Sequence, residues 1–198
     1  MKKIPLILAL IISGMSVNAQ LSQHGLVLNG GTGFIDLTID KSSPYVKEYR
    51  YKYGVSAGYR LRFKTPAPKS FHYDVDVNLG MNALKSKTYG IMIPKNDEAK
   101  PTPSNGYITT TQPRFFTSID GTVNYSIIEN LSVGLGVEPT YYFRYNKFDT
   151  PIVAKVAYKF KTLELGVTGK YGFMNVLDAE YLKSLKLREI QMYVFIPF

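Results

Sequence analysis

Apolar and polar residues alternate along most of this chain with a period of two. From position 49 to 63 the odd positions are Tyr49, Tyr51, Tyr53, Val55, Ala57, Tyr59, Leu61 and Phe63, and the even ones Arg50, Lys52, Gly54, Ser56, Gly58, Arg60 and Arg62. Phe71, Tyr73, Val75, Val77, Leu79 and Met81 alternate with His72, Asp74, Asp76, Asn78, Gly80 and Asn82. The same rhythm sets Leu131, Val133, Leu135, Val137, Tyr141 and Phe143 against Ser132, Gly134, Gly136, Glu138, Thr140 and Arg144, and Leu163, Leu165, Val167, Tyr171 and Phe173 against Glu164, Gly166, Thr168, Lys170 and Gly172. Side chains of a strand point to opposite faces in turn, so each run predicts a strand with one apolar face. Less regular runs at about 113–127, 151–160 and 190–198 bring the number to seven. An eighth strand, roughly 24–38, changes phase: Leu26, Leu28 and Phe34 share one face, while Ile35, Leu37 and Ile39 share the other. The intervening Gly30-Gly31-Thr32-Gly33 predicts a bulge that resets its register.

Most of these strands reach the ~9–11 residues that a tilted membrane strand needs. The last one, Ile190 to Phe198, is itself amphipathic and stops on an aromatic. Such a strand either pairs or leaves an open edge, and closing a barrel removes the edge altogether. Three features favour a membrane barrel, apolar outside, over a soluble one, apolar inside. The polar face is rich in small residues at mid-strand (Gly54, Ser56, Gly58, Gly80, Gly134, Gly136, Gly166), which suit a narrow crowded lumen. Aromatics collect at the strand ends in two girdles: Tyr49, Tyr51, Phe115, Tyr141, Phe143, Tyr171 and Phe173 in one, Phe63, Phe71, Tyr125, Phe160 and Phe198 in the other. Connections also alternate in length. Those at about 64–70, 128–130 and 161–162 are mostly short; those at 40–48, 84–112 and 175–187 are long, with 145–150 brief.

The amino terminus adds an export signal. Lys2 and Lys3 precede a short apolar stretch, Ile4 to Ile12, and Val17-Asn18-Ala19 fits a cleavage site, so residues 1–19 read as a signal peptide and 20–198 as one barrel domain. The apolar stretch is too short to cross ~30 Å of hydrocarbon as a helix. The chain has no cysteine, which removes disulfides, thiolate metal sites and a lipobox anchor. Its formal charge of +9 falls by two with Lys2 and Lys3. The basic residues are dispersed and the chain is exported, so nucleic acid is not an expected partner. Sixteen tyrosines, eleven phenylalanines and no tryptophan fit a bilayer interface, where an amphipathic ring is at home.

With its strands and final aromatic, the chain resembles the small eight-stranded outer-membrane barrels of the OmpX and OmpA-transmembrane type. Its tyrosine-rich strands and Ala19-Gln20 junction look like the form common in the Bacteroidota. The resemblance is one of architecture over the whole of residues 20–198. It implies an all-β, eight-stranded, antiparallel up-and-down transmembrane β-barrel in the outer membrane of a Gram-negative bacterium. It also implies that Met192, Val194, Ile196 and Phe198 form the signal recognised by the barrel-assembly machinery. Pro197 departs from that pattern, because it lacks a ladder donor.

The lumen-facing charges expected from the alternation are Arg50, Lys52, Arg60, Arg62, His72, Asp74, Asp76, Arg114, Asp120, Glu138, Arg144, Lys155, Lys159, Glu164, Lys170 and Glu189. Hairpin registers put Arg60 opposite Asp74, Lys155 beside Glu138 and Lys159 opposite Glu164. An eight-stranded barrel has room inside only for its own side chains, so these charges are expected to pair and fill it. The alternative is a narrow polar path favouring anions, given the basic excess. Neither catalysis nor a metal site is expected: His24 and His72, the only histidines, fall near the turn end on different strands. No cofactor is implied, because the glycine run lacks a phosphate-loop spacing. The long second connection, with Lys87, Tyr89, Lys95 and Tyr107, is the candidate binding loop. Lys183, Lys186 and Arg188 are placed to meet lipopolysaccharide phosphates. The expected role is a monomeric barrel acting as a structural or surface-interaction protein. Its alternatives are a transport barrel or an accessory of a secretion complex.

Overall fold

The computed structural model describes residues 20–39, 46–65, 70–92, 102–143, 146–176 and 182–198; the predicted leader, Lys95 and Arg144 lie outside them. Ten strand segments follow one another: β1 (Gln20–Ile39), β2 (Val46–Lys64), β3 (Phe71–Met92), β4 (Thr102–Ile128), β5 (Leu131–Val137), β6 (Thr140–Tyr142), β7 (Lys147–Asp149), β8 (Ile152–Lys159), β9 (Glu164–Tyr171) and β10 (Leu182–Pro197). β5 and β6 are two halves of one stave, parted where Pro139 has no N–H to give. The ladder still runs through the break: Pro139 O accepts from Ile119 N at 3.0 Å, and Glu138 N donates to Pro151 O at 3.0 Å. β7 and β8 likewise form one stave across Thr150-Pro151. The result is eight staves, each antiparallel to its sequence neighbours, and β10 returns to pair with β1 from Gly25↔Pro197 to Ile39↔Leu182. The ring is an eight-stranded up-and-down barrel.

Its polarity is inside-out. Every stave presents large apolar residues to the exterior, among them Leu28, Val55, Leu79, Ile119, Leu135, Val156, Val167 and Met192, the last 69% exposed. The most deeply buried large side chain is an arginine, Arg60, at 0%. A continuous apolar belt around a polar interior is stable only where the outer solvent is itself apolar, so this is a transmembrane barrel. Aromatic pairs mark both rims. Tyr141–Phe143 and Tyr171–Phe173 stand at the loop end, with centroids 5.5 and 5.0 Å apart; Phe71–Tyr125 and Tyr158–Phe160 stand at the turn end, 5.0 and 4.9 Å apart. No helix among the described residues is long and apolar enough to cross a membrane, which has no bearing on strands.

Three local expectations are corrected. β1 has no bulge at Gly30–Gly33: its register with β10 is unbroken from Gly25 to Thr38, and the shifts lie at Leu21/Gln23 and Thr38/Ile39. Ile35 faces inward because an apolar cluster in the lumen receives it. The bulge sits instead in β2, where Lys52 is the extra residue between Tyr51↔Leu84 and Tyr53↔Ala83. It turns Tyr51 into the lumen and Arg50 and Lys52 out of it, so Tyr51 leaves the predicted girdle. Finally, the connection expected at 84–112 is largely strand. β3 and β4 continue as a paired hairpin to Met92↔Thr102, beyond the last β2–β3 pair at Val46↔Thr88. In the same way Leu182–Leu187 of the expected last loop belong to β10.

Candidate functional site

The lumen holds two layers of different chemistry. Near the turn end, Arg60 and Arg62 on β2 face Asp76 and Asp74 on β3, because Arg60↔Asp76 and Arg62↔Asp74 are register pairs. Each guanidinium grips its carboxylate with two parallel bonds: Arg60 Nε and Nη2 donate to Asp76 Oδ1 and Oδ2, both at 2.8 Å, and Arg62 Nε and Nη2 donate to Asp74 at 2.7 and 2.9 Å. Glu164 of β9 crosses the lumen to accept from Arg60 Nη1 at 3.1 Å, from Arg62 Nη1 at 2.7 Å and from the Tyr193 hydroxyl at 2.9 Å. Phe195 lies beneath both guanidinium groups, its centroid 4.9 and 5.1 Å from their central carbons. The planar fork of arginine satisfies carboxylates and rings together, which a lysine does not.

Above this layer Lys155 reaches Asp76 at 3.3 Å and Asp120 at 2.6 Å. Lys170 takes Glu138 at 2.6 Å, and Ser118 Oγ donates to the other oxygen of Glu138 at 2.7 Å. The expected Lys155–Glu138 pair is therefore replaced by two others. Gly134 and Thr168 flank Lys155 in register, and the nearer carboxylates come from β3 and β4 across the barrel. Asp74 is a secondary partner of Arg60, 3.5 Å from its Nη1. Lys159 does stand opposite Glu164 in register, but the arginines and Tyr193 claim that carboxylate.

Toward the loop end the filling turns apolar. Tyr51, Leu84, Phe116, Tyr142, Val176, Leu185 and Leu187 form one buried cluster, against which Ile35 and Tyr49 pack. Arg114 lies over the Tyr142 ring at 4.4 Å and donates to Val176 O at 3.0 Å, which ties the segment after β9 across the mouth. Asp149 fastens the same segment by accepting from the N–H groups of Phe173 and Met174 at 3.3 and 3.1 Å. Lumen glycines make this filling possible. A Cβ on Gly33 would come within 3.2 Å of the Tyr51 ring, one on Gly54 would strike the Tyr51 hydroxyl, and one on Gly166 would strike the Tyr193 ring. Between the layers, Phe116, Glu138, Tyr142, Lys170 and Glu189 enclose about 20 Å³, no more than a water-sized space.

Side chains thus fill the lumen from β2–β3 to the loop end. The lumen carboxylates (Asp74, Asp76, Asp120, Glu138, Asp149, Glu164, Glu189) lie among the cations Arg60, Arg62, Arg114, Lys155 and Lys170, and nearer the two ends Lys64, Lys147 and Lys159 stand opposite the lumen-facing His72, Tyr142 and Glu164 in register. Met192 and Phe198 stand fully outside, with Val194 and Ile196 on the same face of β10. The missing Pro197 donor is offset by Phe198 N, which donates to His24 O at 2.8 Å. Lys87 pairs with Thr109 and Tyr89 with Tyr107, so these three candidate loop residues sit on the paired β3–β4 hairpin. His24 stands beside Tyr59, Nδ1 2.5 Å from its hydroxyl, while His72 faces the lumen. Arg188, paired with Asp36 and stacked on Tyr171, sits on the outer face at the loop end. Among the described residues no cluster of three metal-ligating side chains occurs.

No family model and no curated protein matches the chain. Solved structures similar to the chain include the attachment invasion locus protein Ail of Yersinia pestis, solved with the heparin analogue sucrose octasulfate. It is 8% identical, with 92% of this chain and 100% of that chain covered and a TM-score of 0.40. The NanC porin is 9% identical over 86% and 98% of the two chains, TM-score 0.33. The translocator domain of the autotransporter NalP from Neisseria meningitidis is 9% identical over 98% and 94%, TM-score 0.33.

Proposed function

We propose that this protein is a monomeric outer-membrane barrel with a closed lumen, exported with residues 1–19 as a cleaved leader, and that it acts as a structural or surface-interaction protein through its loop end. The observation that carries this reading is the packed middle of the lumen, where the space of about 20 Å³ between the arginine–carboxylate layer and the apolar cluster is water-sized. A barrel closed in this way offers binding surfaces at its ends rather than a route through its middle. The β3–β4 hairpin is one such surface. It rises past the β2 pairing and carries Lys87, Tyr89 and Tyr107 on paired strands, which hold a contact surface more firmly than an irregular loop does. In this orientation the turn end faces the periplasm. Met192, Val194, Ile196 and Phe198 serve assembly, and Lys186 and Arg188 meet the phosphates of the outer leaflet.

An epitope inserted between Lys95 and Asn96 tests this orientation. Antibody is expected to reach it on intact cells, whereas an epitope between Glu129 and Asn130 is expected to need a permeabilised envelope. The opposite labelling would overturn the reading.

A further inference from the structure

The turn-end mouth opens into a cavity of about 440 Å³ that the closed lumen does not use. That volume is in the range of small-molecule sites. Its floor is the Arg62–Glu164 pair, whose charges satisfy one another. Lys64 and Lys159 line its walls, and Lys159 has lost its register partner Glu164 to the arginines. They outnumber the one further carboxylate of the lining, Glu129, which stands on the exposed β4–β5 turn. A second observation concerns His72, which belongs to the same lining. His72 is buried, 8% exposed, yet its Nε2 has no hydrogen-bond partner, which is costly unless a ligand or solvent supplies one. Ser126 adds a hydroxyl, and Ile128 and Leu131 give one wall an apolar surface.

We infer that this vestibule binds a phosphate-bearing amphiphile or ester, with Lys64 and Lys159 holding the phosphate, His72 and Ser126 completing its hydrogen bonds, and Ile128 and Leu131 covering its apolar part. Donors that converge from β2, β3, β4 and β8 suit a tetrahedral oxyanion with acceptors in several directions better than a flat carboxylate. The same chemistry belongs to a phospholipid headgroup of the adjoining leaflet and to a free phosphate ester. The site itself is independent of the surface role proposed above, which only decides that the mouth faces the periplasm.

The test uses the protein purified in a maltoside detergent, titrated at constant ionic strength with inorganic phosphate and with dihexanoyl phosphatidylglycerol while amide ¹⁵N–¹H shifts are followed. Shift changes are expected at His72, Ser126 and Lys159, with affinity at least about tenfold weaker in the double variant Lys64→Gln/Lys159→Gln. Lys85→Gln, exposed on β3 toward the loop end and away from this mouth, is expected to change nothing. Equal response to both probes assigns the site to soluble phosphates, and response to the lipid alone assigns it to a headgroup. No response to either probe, or a response that survives the double variant, would overturn the proposal.

Discussion

The two halves of the lumen fill similar space by opposite means. The turn-end half is built from bidentate arginine–carboxylate pairs crossed by Glu164, the loop-end half from packed rings and leucines over glycines. Ion pairs fix which group faces which, but every member depends on the others, because a buried charge without its partner is far costlier than the pair is favourable. Rings and leucines make no such demand. They exclude water and close the mouth, and they depend on volume rather than on particular partners.

This contrast is breakable. Arg60→Ala removes the bidentate partner of Asp76, leaving it Lys155 alone, and one of the two arginines on Glu164, and is expected to lower stability by about 3–5 kcal/mol, read from urea unfolding of the micellar protein by heat-modifiable gel migration. The pair Lys170→Met and Glu138→Leu sharpens the point. Each single change is expected to cost more than the double one, and strict additivity would show that the ion pairs are not mutually dependent. Leu185→Ala, in the apolar half, is expected to cost about 2–5 kcal/mol through its cavity, with no dependence on a partner mutation. Gly54→Ala is expected to cost about 1–3 kcal/mol by pressing on the Tyr51 hydroxyl, and much less in a Tyr51→Phe background, where that oxygen is absent. Asp36→Asn breaks the Arg188 pair on the outer face and is expected to change stability by no more than about 1 kcal/mol.

The alternation of Val75, Val77 and Leu79 with Asp74, Asp76 and Asn78 was enough to place β3 in a barrel wall, because a strand with one apolar and one charged face has few stable surroundings. The lumen charges were legible for the same reason. Their pairing was legible only in part. A hairpin register drawn from an assumed turn is off by one pair when the turn is a residue or two different, which moved Arg60 from Asp74 to Asp76. Lys155 and Glu138 were misjudged because lumen side chains reach across the barrel, and no pattern along one strand reports that distance. The apolar half was hidden by the rule itself: Tyr51 follows the alternation of its neighbours until the unpaired Lys52 reverses it, and Ile35 looks misplaced until Leu187 and Tyr51 are seen beside it. The inward Tyr193 and Phe195 were equally silent, since an aromatic between Val194 and Ile196 reads as one more apolar residue. The glycines that admit these rings were the visible trace of them.

The central claim is that the two layers close the lumen, and single-channel recording in a planar bilayer tests it most directly. The purified protein is expected to insert without producing conductance steps above background. Reproducible steps whose size shifts in Glu138→Gln or Lys155→Gln would contradict the account and make this barrel a channel.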